Sequence, residues 1–291
     1  MVGSLGSLTQ TRTPLPQGTA LVLGGTGKTG RHVVRAPAAR GLAVRTASRS
    51  GEPPFGWADR ATWAPVLDGA TVAYLACHPD IGDSGAAATL GALASPAAAS
   101  GVRRIALLSA RGEDLARPAE DAVRGAGADC TVIRASWFCQ NFSEGLFRDG
   151  VLDGGIVFPA GTVGEPFVDA RDIADLAVAA LTGDGHAGRV YEATGPRLLT
   201  FADAAAEIGA ATGRPGRPVR YTAVPPRAYA PHLTALGLPD ETVGFLVQLF
   251  GDLLDGRNAL LTDDVERVLG RTPRDFRDFA HEAAAAGAWH H

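Results

Sequence analysis

Gly24, Gly27 and Gly30 recur every third residue in Ala20-Leu-Val-Leu-Gly-Gly-Thr-Gly-Lys-Thr-Gly, where a short apolar run breaks into a turn and a helical pattern begins at Arg31. Backbone without side chains can approach a pyrophosphate closely, and the N–H groups that open a helix face its negative charge. The pattern predicts a dinucleotide-binding turn. Gly27-Lys28-Thr29 also supplies the last three positions of a triphosphate-binding loop, G-x-x-x-x-G-K-[ST]. That loop needs a glycine at residue 22, where Val22 stands inside the apolar run. A turn that binds nothing is the other alternative, but strand and helix flank this one as a dinucleotide site requires.

The next strand bears on which dinucleotide. An NAD site usually places an acid at its end, to accept from the ribose 2′-OH. Residues 41–51 contain none; Ser48, Arg49 and Ser50 offer a guanidinium and two hydroxyls, which suit a 2′-phosphate. The expected cofactor is NADP(H), against the alternative that Arg49 is a solvated surface arginine.

These residues need a scaffold, and the pattern supplies one. Strands are expected over 20–23, 42–47, 71–77, 104–109 and 130–134, and helices over 28–40, 59–68, 83–100 and 117–127, with Pro37 kinking or shortening the first. Alternating strands and helices make a doubly wound parallel α/β sheet with ligands at the carboxyl ends of its strands. Past residue 141 the elements shorten. Val190–Ala193 reads as a late strand, and Pro273–Ala286 as a helix with proline in its first turn.

The 291 residues allow one large or two small lobes. A net charge of −4 recommends neither nucleic acid nor an anionic membrane as partner. No apolar run approaches the ~18 residues of a membrane span. Three cysteines without metal-ligand spacing fit reduced, structural thiols, hence a cytoplasmic protein. No histidine–carboxylate cluster supports a metal. Residues 1–17 read as a disordered leader, 18–150 as the nucleotide-binding domain, and 151–291 as the remaining sheet elements with a smaller substrate lobe.

Six segments occur in an order that is hard to obtain by accident: Val22–Gly30, Ala47-Ser-Arg-Ser, Gly101–Ser109, Val132–Phe142, Phe167–Ala174 and Gly185–Gly195. Over about residues 18–288 the chain resembles the NmrA-like branch of the atypical short-chain dehydrogenases, which includes NADPH-dependent quinone oxidoreductases. The resemblance implies a Rossmann domain with a smaller C-terminal substrate lobe. It carries Gly24, Thr26, Gly27, Lys28, Thr29 and Arg49 onto the cofactor, with Gly30 and Ser50 beside them, and sets Ala76, Cys77, His78 and Pro79 along the nicotinamide side.

The family holds both reductases and cofactor-sensing regulators. Ordinary members use Tyr-x-x-x-Lys, but Lys28 is the only lysine among 27 basic residues and follows none of the four tyrosines by four. The remaining candidates for proton donation are Ser109, His78 and Glu113, each of which has a plain structural alternative as a cap, a loop histidine or a solvated carboxylate. Trp137, Phe138 and Asn141 would meet a flat acceptor, unless the aromatics only pack the core. Asp169, Arg171 and Asp172 read as a helix cap with ion pairing. The stripe of Tyr229, Leu236, Phe245 and Phe250 would close a core or cap the acceptor site. The expected function is hydride transfer from NADPH to a small hydrophobic quinone or conjugated ketone. The alternatives are a non-catalytic NADP(H) sensor and a non-redox enzyme on the same fold; oligomeric state is left open.

Overall fold

The computed structural model describes residues 18–38, 43–213 and 218–290. The leader expected over 1–17 lies outside them. Eight strands are present among the described residues: β1 (Thr19–Leu23), β2 (Ala43–Ala47), β3 (Ala70–Leu75), β4 (Arg104–Ala110), β5 (Asp129–Ala135), β6 (Gly155–Phe158), β7 (Val190–Ala193) and β8 (Arg220–Ala223). Six form one parallel sheet in the order β2-β1-β3-β4-β5-β7, and β6 pairs with β8 in a second. The chain leaves β1 for β2 on one side, then crosses to β3 on the other. The strand order therefore reverses at β1/β3, where a doubly wound sheet opens its crevice.

Alternation along the strands covers both faces of the sheet. Leu21, Leu23, Ala73, Leu75, Ile105 and Leu107 belong to one buried cluster, with residues of helices Trp63–Leu67, Ala86–Ala99 and Arg117–Arg124. Ala20, Val22, Val72, Tyr74 and Ala106 belong to another, against helices Gly30–Ala38 and Ala170–Thr182. Burial on both sides is what a parallel sheet demands of its strands. A third cluster is rich in aromatics, with Phe142, Phe147, Phe158, Phe167 and Phe201, and it packs residues from Cys139 to Trp289 together.

Some boundaries differ from expectation. The first helix opens at Gly30 rather than residue 28, because Lys28 and Thr29 belong to the turn, and it runs through Pro37 to Ala38. The C-terminal helix spans Phe276–Ala285; Asp275 caps it by accepting from Arg277 N, leaving Pro273 outside. Asp169 caps helix Ala170–Thr182 by accepting from Arg171 N, and Asp172 pairs with Arg271 and Arg274. Leu236 is 61% exposed, so it closes no core, whereas Tyr229 and Phe250 are buried. No described helix is long and apolar enough to cross a membrane.

Candidate active site

The turn after β1 is fixed by its own backbone. Gly27 N donates to Gly24 O (2.9 Å), and Gly24 has φ +75°, a left-handed conformation that glycine adopts without strain. A Cβ on Gly30 would collide with Gly24 O and lie 2.7 Å from Gly24 C, so the helix can begin this close to the strand only without a side chain there. Tyr74 OH donates to Thr29 Oγ1 (2.8 Å), pinning the turn to β3.

The turn forms one wall of a groove of about 680 Å³. Gly24, Thr26, Gly27, Lys28 and Thr29 line it from β1, Ser48, Arg49 and Ser50 from β2, and Ala76, Cys77, His78 and Pro79 from β3. Phe55 and Trp57, which the sequence reading passed over, close the β2 side. Thr26, Gly27, Arg49 and Ser50 are exposed, and Arg49 makes no ion pair among the described residues. A backbone cradle with no room for a side chain and an exposed guanidinium at the end of β2 fit a phosphorylated dinucleotide. Gly30 does not line the groove; its part is to let helix and strand meet. Burial raises the Cys77 thiol pKa to about 11, Asp80 adding to it, which leaves an unreactive thiol.

A second cavity, of about 270 Å³, adjoins the first, and Phe138 lines both. Its floor is the end of β4 and β5, with Ser109, Ala110, Ala135 and Ser136; its far wall is helix Asp240–Leu253, through Leu246, Leu249, Phe250 and Leu253. Part of the C-terminal stripe therefore does cap a cavity. Trp137 and Asn141 line it as well, and Trp137 also packs edge-on against Phe158 and Phe201. The Trp137–Asn141 segment is held by Cys139 N donating to Val168 O and Val168 N to Trp137 O (both 2.9 Å). Lys28 Nζ donates to Asn141 Oδ1 (2.7 Å), joining the nucleotide turn to this segment. Burial lowers the Lys28 pKa, partly opposed by Glu144.

The three proton-donor candidates separate here. Ser109, 3% exposed, donates to Glu120 Oε1 (2.6 Å), and Glu120 in turn is held by Arg134. With its proton so directed, the Ser109 oxygen meets the cavity as an acceptor. His78 is exposed and lines the groove, not the second cavity. Glu113 lines the cavity, is 4% exposed, and its Oε1 has no partner. Burial, with Asp80 adding to it, raises its pKa to about 7. The Glu113 carboxyl packs so tightly on Gly82 that a Cβ there would lie 2.7 Å from its Cδ.

Asp80, Arg111 and Glu165 line the same cavity; the first two stand in loops expected at the strand ends, His78–Asp80 and Ser109–Asp114, without an assigned role, and Glu165 was missed altogether. Glu165, 1% exposed, also has an unpartnered Oε1 and a pKa raised to about 7 by burial, with Arg111 opposing. It sits between β6 and helix Ala170–Thr182 in a stretch with no local motif. Burial alone would have marked it, and burial of a loop glutamate is not visible in one sequence. None of the four tyrosines lines either cavity, and burial raises the pKa of each. Tyr229, for example, is pushed up to about 12. No group of three metal-ligating side chains occurs among the described residues.

No protein-family model matches the chain. It is 30% identical to the uncharacterized oxidoreductase YesF of Bacillus subtilis over 286 residues, 94% of this chain and 98% of that one. It is 34% identical to the NAD(P)H azoreductase of Xenophilus azovorans over 165 residues, 56% of each. Among solved structures, triphenylmethane reductase of Citrobacter sp. complexed with NADP(H) superposes with a TM-score of 0.69 at 18% identity, over 91% of this chain and 99% of that one. The NADPH complex of quinone oxidoreductase QOR2 from Escherichia coli gives 0.69 at 20% identity (90% and 99%). NmrA, a negative transcriptional regulator, gives 0.68 at 17% identity (94% and 97%). The chain belongs to the NmrA-like branch of the atypical short-chain dehydrogenase/reductase family, as an NAD(P)H-binding protein of oxidoreductase class.

Proposed function

We propose that the protein is an NADPH-dependent reductase of a small, hydrophobic, conjugated acceptor such as a quinone or enone. The observation that carries this reading is the cavity sharing Phe138 with the nucleotide groove, apolar on most of its surface and furnished with a carboxyl poised to titrate near neutrality.

Arg49 and Ser50 would hold the 2′-phosphate, and the turn from Gly24 to Thr29 the pyrophosphate. Bound there, NADPH would supply the hydride that reduces an electrophilic carbon of the acceptor and leaves negative charge on the acceptor's oxygen. The oxygen then takes a proton, and Glu113 is the group that can give one. A carboxyl with a pKa near 7 is substantially protonated at neutral pH and gives up its proton readily. Trp137 and Phe138 orient a flat acceptor, and the helix Asp240–Leu253 excludes water from it. Ser109 acts as an acceptor that positions the ligand, because Glu120 takes its proton. With no tyrosine at the cavity, acceptors whose anions need little help are favoured over simple aliphatic ketones.

The test follows loss of the nicotinamide absorbance when quinones, conjugated ketones and aliphatic ketones are added to the protein with NADPH. Turnover of the conjugated acceptors alone is expected. Silence across the panel despite tight NADPH binding would sink the reading in favour of a nucleotide sensor.

A further inference from the structure

The polar groups of the second cavity are lopsided. Three carboxyls, Asp80, Glu113 and Glu165, face it, against one guanidinium, Arg111. That guanidinium is already engaged: its Nε donates to Glu192 Oε2 (2.8 Å) and a terminal nitrogen to the Asn258 carbonyl (2.7 Å). Ser109 presents only its lone pairs, and Asn141, its carbonyl occupied by Lys28, keeps its neutral amide NH2 as the donor it can offer. Glu113 Oε1 and Glu165 Oε1 are buried without a hydrogen-bond partner, while the Ser136 hydroxyl, also unpartnered, can serve either way. A buried carboxylate oxygen with nothing to accept from is costly, and a ligand that brings the donor removes the cost.

We infer that the acceptor site selects lipophilic organic cations, protonated amines above all, with Glu165 as the anchor that accepts from the ammonium while the aromatic and leucine walls take the apolar body. The inference rests on reading this cavity as the acceptor site. It adds a preference that hydride transfer does not impose: among conjugated acceptors, those carrying a donor-bearing nitrogen away from the reduced carbon bind most tightly. Trp137, Phe138 and Phe250 fit it too, since aromatic faces attract a cation.

The test needs no turnover. Binding of 2-naphthylmethylammonium and of its neutral counterpart 2-naphthylmethanol is measured by calorimetry on the NADP⁺-loaded protein at pH 8. The ammonium is expected to bind about ten- to hundredfold more tightly, the range of a charge-assisted hydrogen bond. In Glu165→Gln that preference is expected to shrink to about twofold. Equal affinities in the wild type, or a preference that survives Glu165→Gln, would overturn the inference.

Should Glu165→Gln fail to fold, the wild type decides by pH. Asp80, Arg111, Glu113 and Glu165 are the charged groups facing the cavity. Ammonium affinity should fall as the pH drops below about 7 and Glu165 takes up a proton, whereas naphthylmethanol affinity stays level. Parallel curves would count against an anchoring carboxylate. Because these readouts are binding constants, a protein that binds ammonium but never oxidises NADPH would leave the inference standing and remove the reductase reading alone.

Discussion

The nucleotide groove and the acceptor cavity lie side by side and share Phe138, yet they are built on opposite plans. The groove is made of backbone: glycines that must be glycines, a turn that bonds to itself, and exposed polar tips at the ends of β1 and β2. The cavity is made of side chains drawn from several separate stretches, including the loop before helix Ala170–Thr182 and the face of Asp240–Leu253. Glu113, Glu165 and Ser136 in it are buried with an oxygen unpartnered, where Thr26, Arg49 and Ser50 of the groove are exposed. The first plan suits one invariant ligand; the second stores a strained electrostatic arrangement that a particular ligand relieves.

If that contrast holds, chemistry should fail through the cavity while nucleotide binding survives. Glu113→Gln keeps shape and removes the proton. Turnover is expected to fall roughly 10²–10³-fold, within the usual range for a general acid, with the NADPH dissociation constant changed less than about twofold. In the wild type the rate should decline as the pH rises through about 7, since Glu113 must carry its proton to give it. A flat profile, or a mutant that loses nucleotide instead, would break the division between the two regions.

The converse substitution is Gly30→Ala. The new methyl would collide with Gly24 O and force the turn away from the helix. Overpacking of this kind costs about 1–3 kcal/mol, and we expect NADPH affinity to drop on the order of a hundredfold because the turn itself is the ligand site. Fluorescence titration with a parallel thermal melt checks it; unchanged affinity would mean the cradle does not set nucleotide binding.

Arg49→Ala tests one contact in the groove. Loss of a charge-assisted phosphate contact, worth about 1.5–3 kcal/mol, should weaken NADPH roughly ten- to hundredfold and NADH far less. An equal effect on both nucleotides would show that Arg49 does not read the 2′-phosphate.

The same contrast explains what a single sequence discloses. Gly24, Gly27 and Gly30 were legible because backbone geometry restricts residue type at fixed spacing, Arg49 because no acid stands near it, and the doubly wound parallel sheet followed from the alternation of strands and helices. The late strand Val190–Ala193 was legible as a short β-prone segment, Val-Tyr-Glu-Ala, between glycine-rich turns. Glu165 was not, because a glutamate's burial depends on Arg111, Leu199 and a helix some eighty residues away in the chain. Ser109 was legible as a position but not as a role. Its direction is set by Glu120, on helix Arg117–Arg124, which nothing in the local pattern connects to it. On the proposed reading Ser109→Ala should therefore slow turnover only a few-fold, well short of the loss expected for Glu113→Gln.

The smallest expected effect is on stability, and it sharpens the idea that the cavity holds an unfavourable charge for a ligand's sake. Glu165 keeps its proton in the folded protein up to about pH 7, against an ordinary value of 4.5 once the chain unfolds. Between those values the folded state binds more protons than the unfolded state, so this group's contribution declines as the pH rises and is least above 7. Glu165→Gln removes the charge without changing the volume. At pH 8 the variant should be more stable than the wild type by about 1–3 kcal/mol, a few degrees in melting temperature, and near pH 4.5 the two should nearly coincide. A bound ammonium should close the gap at pH 8 by stabilising the wild type alone. A variant less stable at every pH would instead make Glu165 a structural partner of Arg111, and the cavity would then be no more strained than the groove.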